Sequence, residues 1–143
     1  MRQSRSERDP GLWTCELDVR WGDMDALGHI NNCEYFRYSE SARLRYFEEL
    51  FGAGGSVFAE GEGPILADIG CAFHEQVVYP AKLDIGVAIT RVGRSSLDLI
   101  TPIFRAGEAQ AVADVRAVLV WFDYAKQKPA PVPDVLRAQL KSS

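Results

Sequence analysis

Only one long segment of this chain carries a helical hydrophobic stripe, with strand-like runs on both sides of it and, after the proline-rich turn of "KQKPAPVPDVLRAQL", room for one or two further helical turns. Between Asn32 and about Leu50, the residues Tyr35, Phe36, Ser39, Ala42, Arg43, Tyr46, Phe47 and Leu50 recur at helical spacing and share one face, with Glu40, Arg45, Glu48 and Glu49 mostly elsewhere. Ahead of it, "LWTCELDVRW" alternates Trp13, Cys15, Leu17 and Val19 against Leu12, Thr14, Glu16 and Asp18, as a half-buried strand does. Behind it, "ILADIGCAFHEQVVY", "KLDIGVAITRVG", "SSLDLITPIFRAG" and "AQAVADVRAVLVWFDY" read as strands, separated by the short breaks "PA", "GR" and "GE" that join antiparallel neighbours. A strand, a helix and four strands have a direct packing solution. The fold class is α+β, a curled five-stranded antiparallel sheet wrapped around one long helix.

Local signals refine that layout. Pro102 removes a ladder donor inside the third of the later runs, which predicts an edge position or a bulge there. "FGAGGSVFAEGEG" is punctuated by Gly52, Gly54, Gly55, Gly61 and Gly63 and reads as a mobile loop. The last strand sets Val112, Val118, Val120 and Phe122 on one face and Ala113, Val115, Leu119 and Trp121 on the other. Apolar residues on both faces need cover on both, which one helix cannot supply, so oligomerisation is expected. Residues 1–11 are mostly polar and are expected to be mobile, leaving 12–143 as a single domain.

Composition narrows the function classes. No apolar run approaches the roughly 18 residues of a membrane span, and "MRQSRSERDPG" lacks the apolar core of a secretory signal, so a cytoplasmic protein is expected. Cys15, Cys33 and Cys71 are odd in number and widely spaced, suggesting neither a disulfide framework nor a zinc knuckle. A net charge of -4 and a pI near 5.2 argue against a nucleic-acid surface. There is no phosphate loop and no dinucleotide-binding glycine pattern.

The chemistry concentrates in "RWGDMDALGHINNCEYFRYSESAR", residues 20–43. Taken alone, Asp23 and Asp25 read as turn formers and Asn31 and Asn32 as helix caps. His29 with Cys33, and Cys71 with His74, lack the further ligands a metal site needs. Glu40 and Arg43, one turn apart, read as an ion pair worth about a few tenths of a kcal/mol.

The series DxD, GHxNN, Tyr35 and the "ESAR" of Glu40 to Arg43, set in this order of elements, resembles the hot-dog-fold acyl-CoA thioesterases of the 4-hydroxybenzoyl-CoA thioesterase class. "VVYPAKLDIGVAITRVGRSSLDL" and "PVPDVLR" extend the resemblance over roughly residues 12–137. It implies a thioester hydrolase acting on acyl-CoA without metal or organic cofactor, coenzyme A being part of the substrate. It further implies a homodimer, often doubled to a homotetramer, with Asp25 as the catalytic carboxylate and the backbone N–H of Asn32 as oxyanion donor. The spacing suits that role: Asp25 lies seven residues before Asn32, where the helix starts and its first N–H groups are unpaired and electropositive. Attack by Asp25 on the carbonyl and activation of water by Asp25 both stay open. His29 is expected to order the loop beside the substrate, and Tyr35 to line the acyl pocket. Arg91, Arg94 and Ser95, at the "VGRSS" turn, are the expected coenzyme A contacts, because an acidic chain needs a local cationic cluster for phosphates. A second hot-dog class takes its carboxylate from the long helix, which makes Glu40 the reserve candidate. The rivals are a hydratase or dehydratase on the same fold, disfavoured by the four-residue Asp25 to His29 spacing, and a non-catalytic acyl-CoA-binding module.

Overall fold

The computed structural model describes residues 4–52 and 61–141. In chain order the elements are β1 (Trp13–Asp18), a single 3-10 turn (Trp21–Asp23), α1 (Asn32–Phe51), β2 (Glu62–Phe73), β3 (Lys82–Val92), β4 (Ser96–Arg105), β5 (Ala111–Asp123), β6 (Lys128–Pro129) and α2 (Asp134–Lys141). The sheet is antiparallel with strand order β1-β3-β4-β5-β2, and α1 packs across its inner face, the expected hot-dog arrangement. β6 is an addition of two residues against Phe122 and Asp123, too short for a period-two pattern to register. The glycine-rich run 53–60, including Phe58, lies outside the described residues.

The helix stripe and the alternating strands meet as their spacing requires. Tyr35, Tyr38, Ala42, Tyr46 and Phe47 of α1 are buried against inner-face residues such as Val115, Leu119 and Trp121 of β5. Phe47 meets Trp121 edge-on at 6.4 Å, Phe51 stacks on the same ring at 6.0 Å, and Tyr46 edges onto Trp13 of β1 at 5.3 Å. Gly86 in β3 lets Leu12 approach so closely that a Cβ there would sit 2.5 Å from the leucine Cδ2.

Several expectations are corrected. Pro102 lies in the central strand, so the edge alternative fails, while the bulge alternative is met on its β5 side. Around it the β3–β4 register holds, Ile85 opposite Ile103 and Ala88 opposite Ile100, and shifts only further along, between Ile89 and Arg91; the ladder skips the positions between the first two pairs, where proline has no N–H to give. On the β5 side Pro102 pairs with Asp114, and a register shift follows at once between Ile103 and Phe104. The strand read as running to Tyr79 stops at Phe73, because His74 N and Glu75 N both donate to Val112 O, at 2.8 and 3.1 Å, and end the ladder. No ion pair joins Glu40 and Arg43 among the described residues. Arg43 turns into the core and donates to Ser39 Oγ at 3.2 Å, while Glu40 stays exposed.

The two faces of β5 are covered differently. On the outer face Val112 and Asp114 are fully buried within one chain. Their cover includes the N-terminal segment, which was expected to be mobile but is tied down. Arg8 N donates to Ala109 O, Ala111 N donates to Ser6 O, and the Arg8 guanidinium sits 4.5 Å from the Phe104 ring centroid. Further along β5, Val118, Val120 and Phe122 are only half-buried.

Candidate active site

The residues between β1 and α1 form a compact loop fixed by the first aspartate of the DxD pair. Asp23 is buried. Its Oδ2 accepts from the Tyr38 hydroxyl at 2.7 Å and from Arg20 N at 3.1 Å, its Oδ1 lies 3.2 Å from the Arg20 guanidinium, and its carbonyl accepts from Asn31 N. Burial pushes the Asp23 carboxyl up, but the hydrogen bonds from Tyr38 and Arg20 N and the Arg20 charge outweigh it and hold the group below the ordinary carboxylate range. Asp23 therefore clamps the loop to the helix, the supporting role its place in the motif suggested.

This clamp gives the first test. Tyr38→Phe removes a hydrogen bond to a buried carboxylate and is expected to cost about 1.5–3 kcal/mol in denaturant unfolding. A group whose folded value is depressed contributes stability above the ordinary carboxylate range and loses it as pH falls through the depressed value. The variant should therefore show a smaller acid loss of stability than wild type. Equal acid profiles would remove Asp23 as a pH-sensitive clamp.

Asp25 sits in a turn of its own. Its carbonyl accepts from Gly28 N, its N–H donates to His29 O, and its Oδ1 accepts from Leu27 N at 2.9 Å. Aspartate first and glycine fourth is the usual composition of such a turn, and Gly28 holds a positive φ of 83° that suits glycine. A bridge between Met24 and Ile30 closes the loop, and Ile30 N donates to Val77 O. Thus the expectation of a turn former is met at Asp25. Among the described residues only Oδ1 is engaged, and Oδ2 has no partner.

Helix α1 starts where the spacing placed it. Asn31 is the cap, its Oδ1 accepting from Cys33 N at 3.0 Å and its carbonyl from Glu34 N at 2.9 Å. With those two N–H groups taken, the N–H of Asn32 remains without an acceptor among the described residues.

Asp25, Leu27, His29, Ile30, Asn32 and Tyr35 line one side of a cleft of about 450 Å³, faced by Phe73, His74, Glu75 and Gln76 beyond the end of β2. Phe73 is 45% exposed and meets Tyr35 edge-on at 5.2 Å. Burial pushes the Tyr35 phenol up, and burial aided by Asp114 pushes the neighbouring Cys71 thiol up to about 12, so both are neutral at ordinary pH. A cavity of about 520 Å³ opens elsewhere, between Trp13, Tyr46, Leu50 and Ile89, and no residue of the motif reaches it.

The cleft brings together four residues predicted from sequence, Asp25, His29, Asn32 and Tyr35. It does not bring Arg91, Arg94 and Ser95, which lie at the far end of the β3–β4 hairpin. Arg105, at the near end and opposite Leu83, donates to Glu75 Oε1 and Gln76 O of the cleft wall, whereas Arg91 is about eight residues and roughly 26 Å along the strand. Arg91 is held by Asp98 through two hydrogen bonds of 3.0 and 2.9 Å and by Ser96 Oγ at 3.0 Å. The carbonyls of Arg94 and Ser95 accept from Val132 N and Trp121 N. Glu40 is not among the cleft residues. Glu75 and Gln76 are wall residues the sequence did not single out. No cluster of three or more His, Cys, Asp or Glu side chains suited to a metal ion occurs among the described residues, and no described helix is long and apolar enough to cross a membrane.

Comparison with known proteins agrees with this fold. A family model described as the thioesterase-like superfamily matches residues 19–140. The acyl-acyl carrier protein thioesterase ATL3 of Arabidopsis thaliana chloroplasts is 22% identical over 124 residues, covering 87% of this chain and 65% of that protein. Another curated relative is matched over 55% of its length, so the chain spans less than two thirds of either. Among solved structures, the PA2801 protein of Pseudomonas aeruginosa is 33% identical with a TM-score of 0.77, covering 94% of this chain and 98% of that one. A DHNA-CoA thioesterase from Staphylococcus aureus superposes with a TM-score of 0.79 at 21% identity, covering 92% and 90%, a likeness of fold. With a family match across most of its length and a 33% identical structural relative, this chain belongs to the thioesterase-like superfamily.

Proposed function

We propose that this protein is an acyl-CoA thioesterase of the 4-hydroxybenzoyl-CoA thioesterase class, hydrolysing an acyl-CoA to the free acid and coenzyme A. The observation that carries the proposal is the pairing of Asp25 Oδ2 and the Asn32 N–H, both unpaired among the described residues, on one cleft. A thioester carbonyl between them meets a base or nucleophile and a hydrogen-bond donor at the positive end of α1. In the water route, Asp25 takes a proton from water, the hydroxide oxygen bonds to the carbonyl carbon, and Asn32 N–H supports the oxyanion. The carbon–sulfur bond then breaks and the thiolate recovers the proton. In the covalent route, Asp25 displaces the thiolate to form an anhydride that water cleaves. Neither route needs a metal or organic cofactor.

Membership of the superfamily supports hydrolysis of a thioester. His29 and Tyr35 border the carbonyl site, where they would fix the loop and bound the acyl group. Within one chain Arg91, Arg94 and Ser95 are too distant to meet the same substrate, so their proposed contact with coenzyme A phosphates requires the hairpin of a neighbouring copy. A homodimer or homotetramer is therefore part of the reading, and the free cysteines Cys15, Cys33 and Cys71 suit a cytoplasmic enzyme.

Thiol release from a panel of short, long and aromatic acyl-CoAs, followed with a chromogenic disulfide, tests the proposal. Rapid release from at least one member is expected. Binding of acyl-CoA with no release from any member would overturn hydrolysis in favour of a binding module.

A further inference from the structure

The facing wall of the cleft lies past the end of β2 and has little regular backbone pairing to hold it. His74 and Glu75 share one acceptor, Val112 O, and Gln76 is exposed. What else fastens this wall comes largely from side chains, and part of it comes from the other end of the sequence. The Arg5 guanidinium pairs with the Glu75 carboxylate, while its Nε donates to Ala111 O at 2.6 Å. Arg105 grips Glu75 Oε1 at 2.7 Å and Gln76 O at 2.8 Å. Behind them, Asp114 is fully buried, and its Oδ2 takes both His74 Nε2 at 2.9 Å and Ser6 N at 3.0 Å. The His74 side chain is only 7% exposed, so its ring serves this joint. One buried carboxylate thus ties the wall, the N-terminal segment and β5 together.

We propose that the N-terminal segment is part of the cleft, with Arg5 as a positioning residue that acts through Glu75 to hold residues 74–76 opposite Asp25 and Asn32. Arg105 and Asp114 hold the same wall from the sheet, and Arg5 and Ser6 add the hold from outside it. Arg5 touches no reacting atom; it sets the width of the cleft that the substrate enters. The catalytic readout of this proposal rests on the thioesterase reading, and its conformational readout does not.

The separation of function from stability makes the test. Arg5 and Glu75 are partly exposed, and ion pairs in such positions add little to stability. Arg5→Gln is expected to lower kcat/KM by about tenfold, chiefly through KM, as a slight misplacement of a binding wall does. Its Tm should stay at the wild-type value, and Arg5→Lys should recover most of the loss. Lys82→Gln, which breaks another exposed ion pair with Glu16 and Asp18 outside the cleft, should leave kcat/KM unchanged. Independently of turnover, amide hydrogen exchange over residues 74–78 should be faster in Arg5→Gln than in wild type. Unchanged exchange across 74–78 overturns the proposal whether or not the protein hydrolyses thioesters. In an active enzyme, wild-type kcat/KM in Arg5→Gln overturns it too, as does a loss of activity matched by a fall in Tm. Faster exchange in a protein without thioesterase activity supports the positioning role and counts against the function alone.

Discussion

Asp25→Asn is expected to lower turnover of the preferred acyl-CoA by about 10²–10⁴-fold, the range that a positioned acid or base contributes. The structure makes this substitution unusually clean. Asp25 Oδ1 accepts from Leu27 N, and an asparagine side-chain oxygen can keep that bond, so the turn that carries the residue persists. What the amide loses is basicity and nucleophilicity at the second position, which has no hydrogen-bond donor among the described residues. Circular dichroism and the denaturant midpoint should match wild type, and KM should change little. Asp25→Ala would remove the turn bond as well and mix the two effects. Release that survives in Asp25→Asn would keep the reaction and move the carboxylate elsewhere, with Glu40 next to test. Its exposed place on α1, away from the cleft, predicts that Glu40→Gln retains wild-type turnover.

The Asp25–Asn32 side of the cleft was legible in the sequence as structure because it is locally encoded. Asp23 to Tyr38 contains its own clamp, turn, cap and helix start, and nearly all the bonds that shape it run between residues fewer than 16 positions apart. The stripe on α1 located the helix for a similar reason, since burial of Tyr35, Ala42 and Tyr46 follows from spacing alone. The opposite wall was not legible. "AFHEQVVY" continues the apolar character of β2, and no period-two pattern reveals that two N–H groups converge on Val112 O and stop the ladder at Phe73. For Pro102 the bulge was legible and the central position was not, because a missing donor argues against a central strand only where the ladder needs that donor. Here the ladder to β3 skips it, and the bridge to Asp114 on β5 remains.

The hairpin arginines show the limit of charge counting. Density of cations marked residues 91–95, yet Arg91 is already neutralised by Asp98, and the turn faces away from the cleft of its own chain. The partner of Arg43, though not its place on the helix stripe, was misread in a related way. Its i,i+3 spacing to Glu40 suggested a surface pair, but its place beside Phe47 on the helix stripe turned the guanidinium inward onto Ser39. Spacing along a helix predicts which side chains are able to meet; the width of the buried stripe decides which of them do.

Leu66→Lys is the second substitution with a large expected effect, on assembly. β2 ends the sheet, runs 12 residues, and among the described residues pairs with a strand, β5, on one side only. Ile65 is 38% exposed and Leu66 44% exposed, with no lysine or edge proline beside them except Pro64. Pro64, Asp68 and the bulge between Leu66 and Asp68 guard this edge only in part, and a second copy related by a two-fold axis would cover it with the same strand. The half-buried Val118, Val120 and Phe122 on the outer face offer a further surface for doubling that dimer. A stable interface buries about 1,600 Å² in total, more than one strand edge supplies, so side chains flanking β2 must take part. A lysine at position 66 places a charge in that contact, the device by which natural edge strands avoid pairing. Sedimentation should show wild type as a dimer or tetramer and Leu66→Lys as a monomer with a raised KM for acyl-CoA, because the hairpin carrying Arg94 reaches a cleft only from another copy. A wild-type protein that sediments as a monomer and hydrolyses acyl-CoA at full rate would remove both the interface and the role of that hairpin, and would require the phosphates to be met by cations of the same chain.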